Sequence, residues 1–139
     1  MPLRVGDAAD REVALTAGDI VRYAALCGDT NPLHNDEAAA RRSRFGGLIA
    51  SGAHTLALLT GFCAAFTTSR APCVGLEFSY QLRRAARAGD ALRMRWEVVG
   101  VERSERLAGE VVTLRGEIRD QGGALLVDAS GKVLAREAF

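Results

Sequence analysis

The amino-acid sequence predicts an α+β fold in which an antiparallel sheet wraps around a central apolar helix. Apolar residues recur at helical spacing in the first half of the chain, and they alternate with polar residues, as in half-buried strands, in the second half. Residues 46–68, between the two halves, contain no Asp, Glu, Lys or Arg. A helix that is apolar on all sides belongs at the centre of a fold, where a sheet with one apolar face can cover it.

The composition favours one folded domain spanning residues 1–139, with 48% apolar and 25% charged residues. A net charge of +1 gives no electrostatic reason to expect nucleic acid as a partner. The three cysteines, Cys27, Cys63 and Cys73, lack metal-ligand spacing, and their odd number argues against a disulfide framework. The charged N-terminus lacks the apolar segment of a signal peptide. These features predict a cytoplasmic protein with reduced thiols.

The first helix is predicted from both of its ends. Thr16, with an acidic residue three positions later, resembles a capping box. Apolar residues from Ile20 to Cys27 then fall at i, i+3, i+4 and i+7, and Gly28 is placed to end the helix. A polar loop and a short helix over 36–43 follow.

The uncharged run predicts a longer helix over about 52–67. Its length is also compatible with a membrane span. Against a span, the run holds four glycines and a histidine, and its dense apolar part, 56–66, is too short to cross a bilayer. A buried core helix is therefore favoured, and no membrane is expected as a partner.

Four strands are predicted in the second half, at 73–84, 91–100, 108–120 and 124–139. In the first of them we expect a buried face of alternating residues from Val74 to Leu82, and in the second a buried face from Leu92 to Val98. The Arg-rich segments 83–90 and 100–109 read as connections. Such a sheet leaves an edge to be covered or paired, which makes a dimer plausible.

The polar loop, residues 27–36, reads CGDTNPLHND. It carries one of only two histidines, and Pro32 stiffens its middle. Asp and Asn near proline are common turn formers, so one interpretation of this loop is a plain turn. The other interpretation is that Asp29 and His34 form a working acid–base pair.

The segment from Tyr23 to Thr55 resembles the signature of the MaoC-like (R)-specific enoyl-CoA hydratases, which have the hot-dog fold. Six residues match the first part of that signature: Gly28, Asp29, Asn31, Pro32, Leu33 and His34. Residues 48–52, LIASG, match the block that opens the central helix of the family. The resemblance covers almost the whole chain. One departure is 83–90, where relatives often carry Pro–Val ahead of Gly–Asp.

The resemblance implies a lyase of fatty acid metabolism that hydrates trans-2-enoyl-CoA to (R)-3-hydroxyacyl-CoA, or catalyses the reverse dehydration, without a metal or another cofactor. Asp29 and His34 would act together on one water, since an imidazole can exchange a proton near neutral pH. Asn31 would hold the loop, and the backbone N–H of Gly52 would bind the thioester oxygen at a helix N-terminus. Ser51 would cap that helix or orient water and substrate.

The resemblance also implies the partners. The substrate would be a thioester of coenzyme A or of an acyl carrier protein. The protein would be a homodimer, with two sheets back to back and a substrate tunnel that uses both chains. Arg83, Arg84 and Arg87 are candidates for contacts with coenzyme A phosphates, although solvated charges at a strand edge are the favoured interpretation.

For His54 we favour a packed, hydrogen-bonded core histidine over a catalytic one.

Two other functions are considered. Many hot-dog acyl-CoA thioesterases use a carboxylate on the central helix, but no Asp or Glu occurs between Glu37 and Glu77. A non-catalytic subunit of a hetero-oligomeric hydratase should have lost the acid–base pair, and this chain keeps both members.

Overall fold

Residues 2–139, which a computed structural model describes, form five strands and three α-helices. In chain order these are β1 (Ala8–Ala14), α1 (Ala17–Cys27), α2 (Glu37–Arg42), α3 (Gly52–Thr68), β2 (Cys73–Leu82), β3 (Ala91–Ser104), β4 (Gly109–Arg119) and β5 (Leu125–Ala135), with a 3-10 turn at Pro32–His34 between α1 and α2. The strands form one antiparallel sheet in the order β1-β3-β4-β5-β2. An antiparallel sheet with a central helix is the predicted α+β fold class, which is confirmed.

Helix α3 packs against the inner face of the sheet. Its residues Leu59, Phe62 and Cys63 are buried, and the indole N–H of Trp96, on β3, donates a 2.8 Å hydrogen bond to the Leu59 carbonyl. Gly116 faces Trp96 on β4, where a Cβ atom would lie 2.6 Å from the indole ring. The missing side chain therefore makes room for the indole. Within residues 2–139, no helix has the length and apolar character needed to cross a membrane.

Strand β3 confirms the predicted alternation, because Leu92, Met94, Trp96 and Val98 are all buried on the helix side. The strand continues to Ser104, so part of the predicted connection over 100–109 is strand instead. Backbone pairing with β4 continues over these residues, which explains why their charged side chains do not end the strand.

The predicted buried face of β2 is wrong in part. Val74, Leu76 and Leu82 are 44%, 45% and 57% exposed. β2 is an edge strand that pairs only with β5, and a register shift between Gly75 and Glu77 interrupts its alternation. The side of β2 that faces away from β5 therefore has no neighbouring strand among residues 2–139.

Strand β1 was not predicted from the sequence. Its residues, AADREVA, are mostly exposed and include few of the types that favour strands. The segment is extended because it pairs with β3 at the other edge of the sheet, from Ala8 opposite Glu97 to Ala14 opposite Ala91. The extended conformation of β1 therefore depends on its pairing with β3, which is distant in the sequence, and not on a local sequence pattern.

Candidate active site

The end of helix α1 positions Asp29. Thr16 caps the start of the helix by accepting from the Asp19 N–H, and Gly28 ends it in the left-handed conformation, with φ of 71°, as predicted. Beyond that turn, the Asp29 N–H donates to the Ala24 carbonyl at 2.9 Å. The Asp29 carboxylate is thus carried on a fixed backbone at the start of the polar loop.

Asn31 and Pro32 shape the loop between Asp29 and His34. One oxygen of Asp29, Oδ1, accepts from the Asn31 N–H at 2.9 Å. The amide oxygen of Asn31 accepts from the Leu33 N–H at 3.1 Å and caps the 3-10 turn that Pro32 begins. Asn31 therefore makes the kind of contact expected of a residue that holds this loop.

His34 is buried, with 8% of its side chain exposed, and its ring is oriented by a main-chain carbonyl. Nδ1 lies 2.7 Å from the carbonyl oxygen of Ile49. Because a carbonyl only accepts, the proton of the neutral ring is on Nδ1, which leaves the Nε2 lone pair free. Nε2 lies 3.8 Å from Oδ2 of Asp29. The nitrogen with the free lone pair is therefore the one close to the second carboxylate oxygen.

This geometry allows Asp29 and His34 to share one water. A hydrogen-bonded water oxygen lies about 2.8 Å from its partner, and two atoms 3.8 Å apart can both reach it. The Asp29 side chain is 35% exposed, so solvent can reach the carboxylate. A basic nitrogen and a carboxylate on one water are the groups needed for general acid–base chemistry.

The start of α3 is tied to the same loop. The Ile49 N–H donates to the Leu33 carbonyl at 3.2 Å, and Ile49 is three residues before Gly52. Ser51 caps the helix, because its hydroxyl oxygen accepts from the His54 N–H at 3.2 Å. Gly52 is the first helical residue, and no residue among 2–139 accepts a hydrogen bond from its N–H. Such free amides at a helix start favour a negatively charged oxygen.

Gly52 also has a side-chain neighbour that the sequence did not reveal. A Cβ atom added at Gly52 would lie 2.6 Å from Cδ1 of Leu82, at the end of β2. The structure therefore connects the start of α3 with the exposed edge of the sheet. Nothing in the residue type at position 82 indicated this approach.

His54 differs from its prediction in one respect. Its ring is buried and stacks on Tyr23, with centroids 4.5 Å apart. Its Nδ1, however, is buried without a hydrogen-bond partner among the described residues. Burial lowers the pKa of His54, and the charge of nearby Asp19 opposes that shift. The expectation of a packed histidine agrees with this position, but the hydrogen bond expected of it is missing at Nδ1.

The structure thus brings Asp29, Asn31 and His34 together in one loop and joins that loop to Ser51 and Gly52 through Ile49. Their chemical roles stay predictions. The carbonyl of Ile49 was missed from the sequence, since every residue has a carbonyl and no residue type marks one that orients a histidine. Among residues 2–139 no group of three or more His, Cys, Asp or Glu side chains is placed to hold a metal ion.

Comparisons with known proteins agree with this architecture. A curated 3-hydroxybutyryl-CoA dehydratase of Methylorubrum extorquens is 34% identical over 134 residues, which cover 83% of each chain. A UPF0336 protein of Streptomyces avermitilis is 33% identical over 128 residues, 86% of this chain and 82% of that protein.

Among solved structures, the (R)-hydratase from A. caviae involved in PHA biosynthesis has a TM-score of 0.85 and 28% identity, over 96% of this chain and 97% of that chain. The sequence profile of the MaoC like domain matches residues 4–118. This match covers well over half of the sequence, and the chain belongs to the MaoC-like dehydratase family, with the hot-dog fold.

Proposed function

We propose that this protein adds water to trans-2-enoyl-CoA to give (R)-3-hydroxyacyl-CoA, or removes water in the reverse direction. Its family and its (R)-hydratase neighbours support hydratase or dehydratase chemistry in general. The observation that carries the finer proposal is the pair formed by Asp29 and His34, with the free Nε2 of the imidazole 3.8 Å from the carboxylate.

In the proposed reaction the pair acts on one bound water. Nε2 of His34 takes a proton from the water while the water oxygen bonds to C3 of the enoyl group. The pair then returns a proton to C2 from the same face, so that addition is syn and both residues regain their starting states. Negative charge that gathers on the thioester oxygen would be met by the Gly52 N–H. Ser51 caps the same helix by accepting from the His54 N–H.

The two alternative functions, a thioesterase and a non-catalytic subunit, have less support from the residues of this protein. Helix α3 carries no Asp or Glu that could serve a thioesterase in the usual way. A non-catalytic subunit would not need Asp29 and His34 to face one another across 3.8 Å. Neither alternative accounts for the orientation of His34 by Ile49.

The first test is the reaction itself. With purified protein and a trans-2-enoyl-CoA, we expect loss of the absorbance of the conjugated enoyl thioester and formation of the (R)-3-hydroxy product, as the likeness to an (R)-hydratase suggests. Since the proposal uses no metal, the rate should persist in a chelator. As a control for thioester hydrolysis, a reagent that reacts with thiols detects any free coenzyme A that is released. Release of free coenzyme A in place of a hydroxy product would support the thioesterase instead.

The exposed edge of β2 supports a homodimer. Val74, Leu76 and Leu82 are apolar and solvent-exposed on a strand with one unpaired side, and such edges pair with other chains. The outer face of the sheet carries charged side chains such as the ion-paired Arg95 and Arg119. We therefore propose that the dimer contact runs along β2, in place of the back-to-back pairing of two sheets that the resemblance implies. Since Leu82 lies beside Gly52, this contact would bring the partner close to the candidate site.

A dimer should have twice the chain mass of 14.8 kDa in light scattering. Leu76→Lys places a charge on the β2 edge and should raise the dimer dissociation constant at least about tenfold, the effect of roughly 1.4 kcal/mol. Leu26→Lys is the matched control, because Leu26 is also exposed but lies on α1. A fully active monomer of the unaltered protein would contradict the proposed assembly.

A further inference from the structure

The end of β2 faces the start of helix α3. The hydroxyl of Tyr80, on β2, is hydrogen-bonded to that of Thr60, on α3. Because side chains alternate along a strand, Leu82 lies on the same face as Tyr80. A Cβ atom added at Gly52 would lie 2.6 Å from Cδ1 of Leu82. Leu82 is therefore the β2 side chain that packs against the first residue of the helix.

Leu82 is unusually exposed for a side chain on the helix side of the sheet. Tyr80, two residues earlier on the same face, is half-buried, whereas Leu82 is 57% exposed. An apolar side chain on the inner face of an antiparallel sheet is ordinarily covered by the core. Residues 2–139 therefore leave the space beside Leu82 open at the start of α3.

The main chain holds Leu82 in this place. Leu82 pairs with Val127 on β5. Immediately after it, the N–H groups of Arg83 and Arg84 both donate to the Leu126 carbonyl, at 2.8 and 3.2 Å. Because the backbone is bonded on this side, Leu82 changes its position mainly by rotation of its side chain.

Gly52 is shaped to receive Leu82. Its φ is not positive, so the backbone conformation does not require glycine there. The three heavy atoms nearest to an added Cβ, apart from the adjoining chain, all belong to Leu82, at 2.6, 3.8 and 3.9 Å. The absence of a side chain at position 52 therefore lets Leu82 approach the N–H at the helix start.

An apolar neighbour changes what the Gly52 N–H can do. No residue among 2–139 accepts a hydrogen bond from this N–H. A hydrogen bond to a charged oxygen is stronger where water is kept away, because the local dielectric constant is lower. Leu82 has no polar group that could compete for the N–H or hold water beside it. Its side chain thus supplies the apolar wall of a site whose donor is the Gly52 N–H.

We propose that Leu82 contacts the thioester group of the substrate and keeps water from its oxygen. The inference rests on the proposed function, in which the Gly52 N–H binds that oxygen. The sulfur and carbon atoms of a thioester are apolar, so binding them covers the exposed surface of Leu82. Because negative charge grows on the oxygen only as water adds, the exclusion of water acts mainly on kcat.

The first test replaces Leu82 with two side chains of similar size. Leu82→Met stays apolar, and Leu82→Gln brings a polar amide to the same place. For a trans-2-enoyl-CoA, Leu82→Gln should lower kcat roughly tenfold, which is less than the loss of a whole oxyanion donor. Its KM should stay within about threefold, since the affected interaction forms in the transition state. Leu82→Met should lose less than about threefold in kcat, because it keeps the apolar volume.

Leu26→Gln makes the same change at an exposed leucine of α1 and is the matched control. It should behave like the unaltered protein.

Assembly is the other explanation for a loss, because Leu82 also lies on the edge proposed to pair with a second copy. The assays are therefore repeated over a range of protein concentrations, with light scattering to measure the fraction of dimer. A loss in Leu82→Gln that persists in the dimer supports the contact with substrate. A loss that follows the fraction of monomer, or equal kcat in Leu82→Gln and Leu82→Met, overturns it.

The second test measures the coupling between positions 52 and 82. Gly52→Ala should lower kcat by pushing Leu82 aside, and Leu82→Ala should lower it by removing the apolar wall. In the double variant the added Cβ atom meets open space, so Gly52→Ala should cost less than about twofold once Leu82 is alanine. Losses that simply add would show that the two residues do not share one site.

The carbonyl stretching frequency of bound 3-hydroxyacyl-CoA, isotopically labelled at the thioester carbon, tests the site independently of turnover. Donation from an N–H polarises the C=O bond, so the frequency should fall on binding to the unaltered protein. The fall should be smaller in Leu82→Gln and unchanged in Leu26→Gln.

The two proposals fail in different ways. If the unaltered protein shows the lower carbonyl frequency but hydrates no enoyl thioester, the proposed reaction fails while the Leu82 contact stands. If the frequency does not fall, or falls equally in Leu82→Gln, the Leu82 contact fails.

Discussion

Asp29→Asn and His34→Ala should each lower kcat for enoyl-CoA hydration by on the order of 10²- to 10⁴-fold, the usual contribution of a positioned acid or base. Asparagine keeps the size of Asp29, and its one oxygen can still accept from the Asn31 N–H. Its amide NH₂ would then stand where Oδ2 stands, 3.8 Å from Nε2, and would offer the shared water a donor in place of a charged acceptor. His34→Ala removes the base outright.

The two losses should not add. Since both residues act on the same water, the double variant should be about as slow as the slower single variant. The measurement is kcat from the absorbance of the enoyl thioester, with the melting temperature of each variant beside it. The melting check matters for His34→Ala, because that change leaves the Ile49 carbonyl without its donor.

Asp36→Asn is the matched control for the loop. Asp36 is the other carboxylate of this loop, and it caps α2 by accepting from the Ala39 N–H at 3.0 Å. Asparagine caps a helix about as well as aspartate, so this variant should keep both stability and turnover. Near-normal turnover in Asp29→Asn or in His34→Ala would remove that residue from the proposed mechanism.

Gly52→Pro should fold and yet lose roughly 10²- to 10³-fold in turnover, the typical effect of removing one oxyanion donor. Proline deletes the N–H that is proposed to bind the thioester oxygen. The first position of a helix tolerates proline. Ser51, with φ of −61° and ψ of 152°, already has the extended conformation that a residue before proline adopts.

Gly52→Ala is the control, because it adds a Cβ atom and keeps the N–H. Gly52 is not among the glycines with positive φ, so alanine meets no backbone strain there. Both variants bring a Cβ atom within 2.6 Å of Cδ1 of Leu82, the mobile end of a side chain that is 57% exposed. The difference between them therefore reports mainly on the N–H. Equal turnover in two well-folded variants would place the thioester oxygen elsewhere.

The sequence predicts those parts of the fold that local patterns determine. Thr16 and Gly28 mark the ends of α1 because capping is a contact between near neighbours in the chain. Leu92 to Val98 identify β3 because one side of that strand is fully covered. Strand β1 has no such pattern, since its place in the sheet comes from backbone bonds to β3, more than 70 residues away at its closest register pair.

In the candidate site, too, the sequence predicts the features that depend on near neighbours in the chain and misses those that depend on tertiary packing. Asp29 and His34 are visible in the sequence because they lie five positions apart and one turn brings them together. The Ile49 carbonyl and the approach of Leu82 to Gly52 depend on tertiary packing, and neither is a property of a residue type. The interpretation of Arg83, Arg84 and Arg87 as solvated charges at a strand edge stays a prediction, although β2 ends at Leu82, two residues before the predicted end at 84.

The hydrogen bond from His34 to the Ile49 carbonyl has an evolutionary consequence. A carbonyl is present whatever side chain position 49 carries, so mutation there can change the neighbouring apolar surface and still leave the imidazole with its acceptor. Sequences can therefore drift around the histidine while its ring keeps one tautomer. The orientation of His34 therefore depends on the path of the backbone at position 49 and depends little on the side chain there.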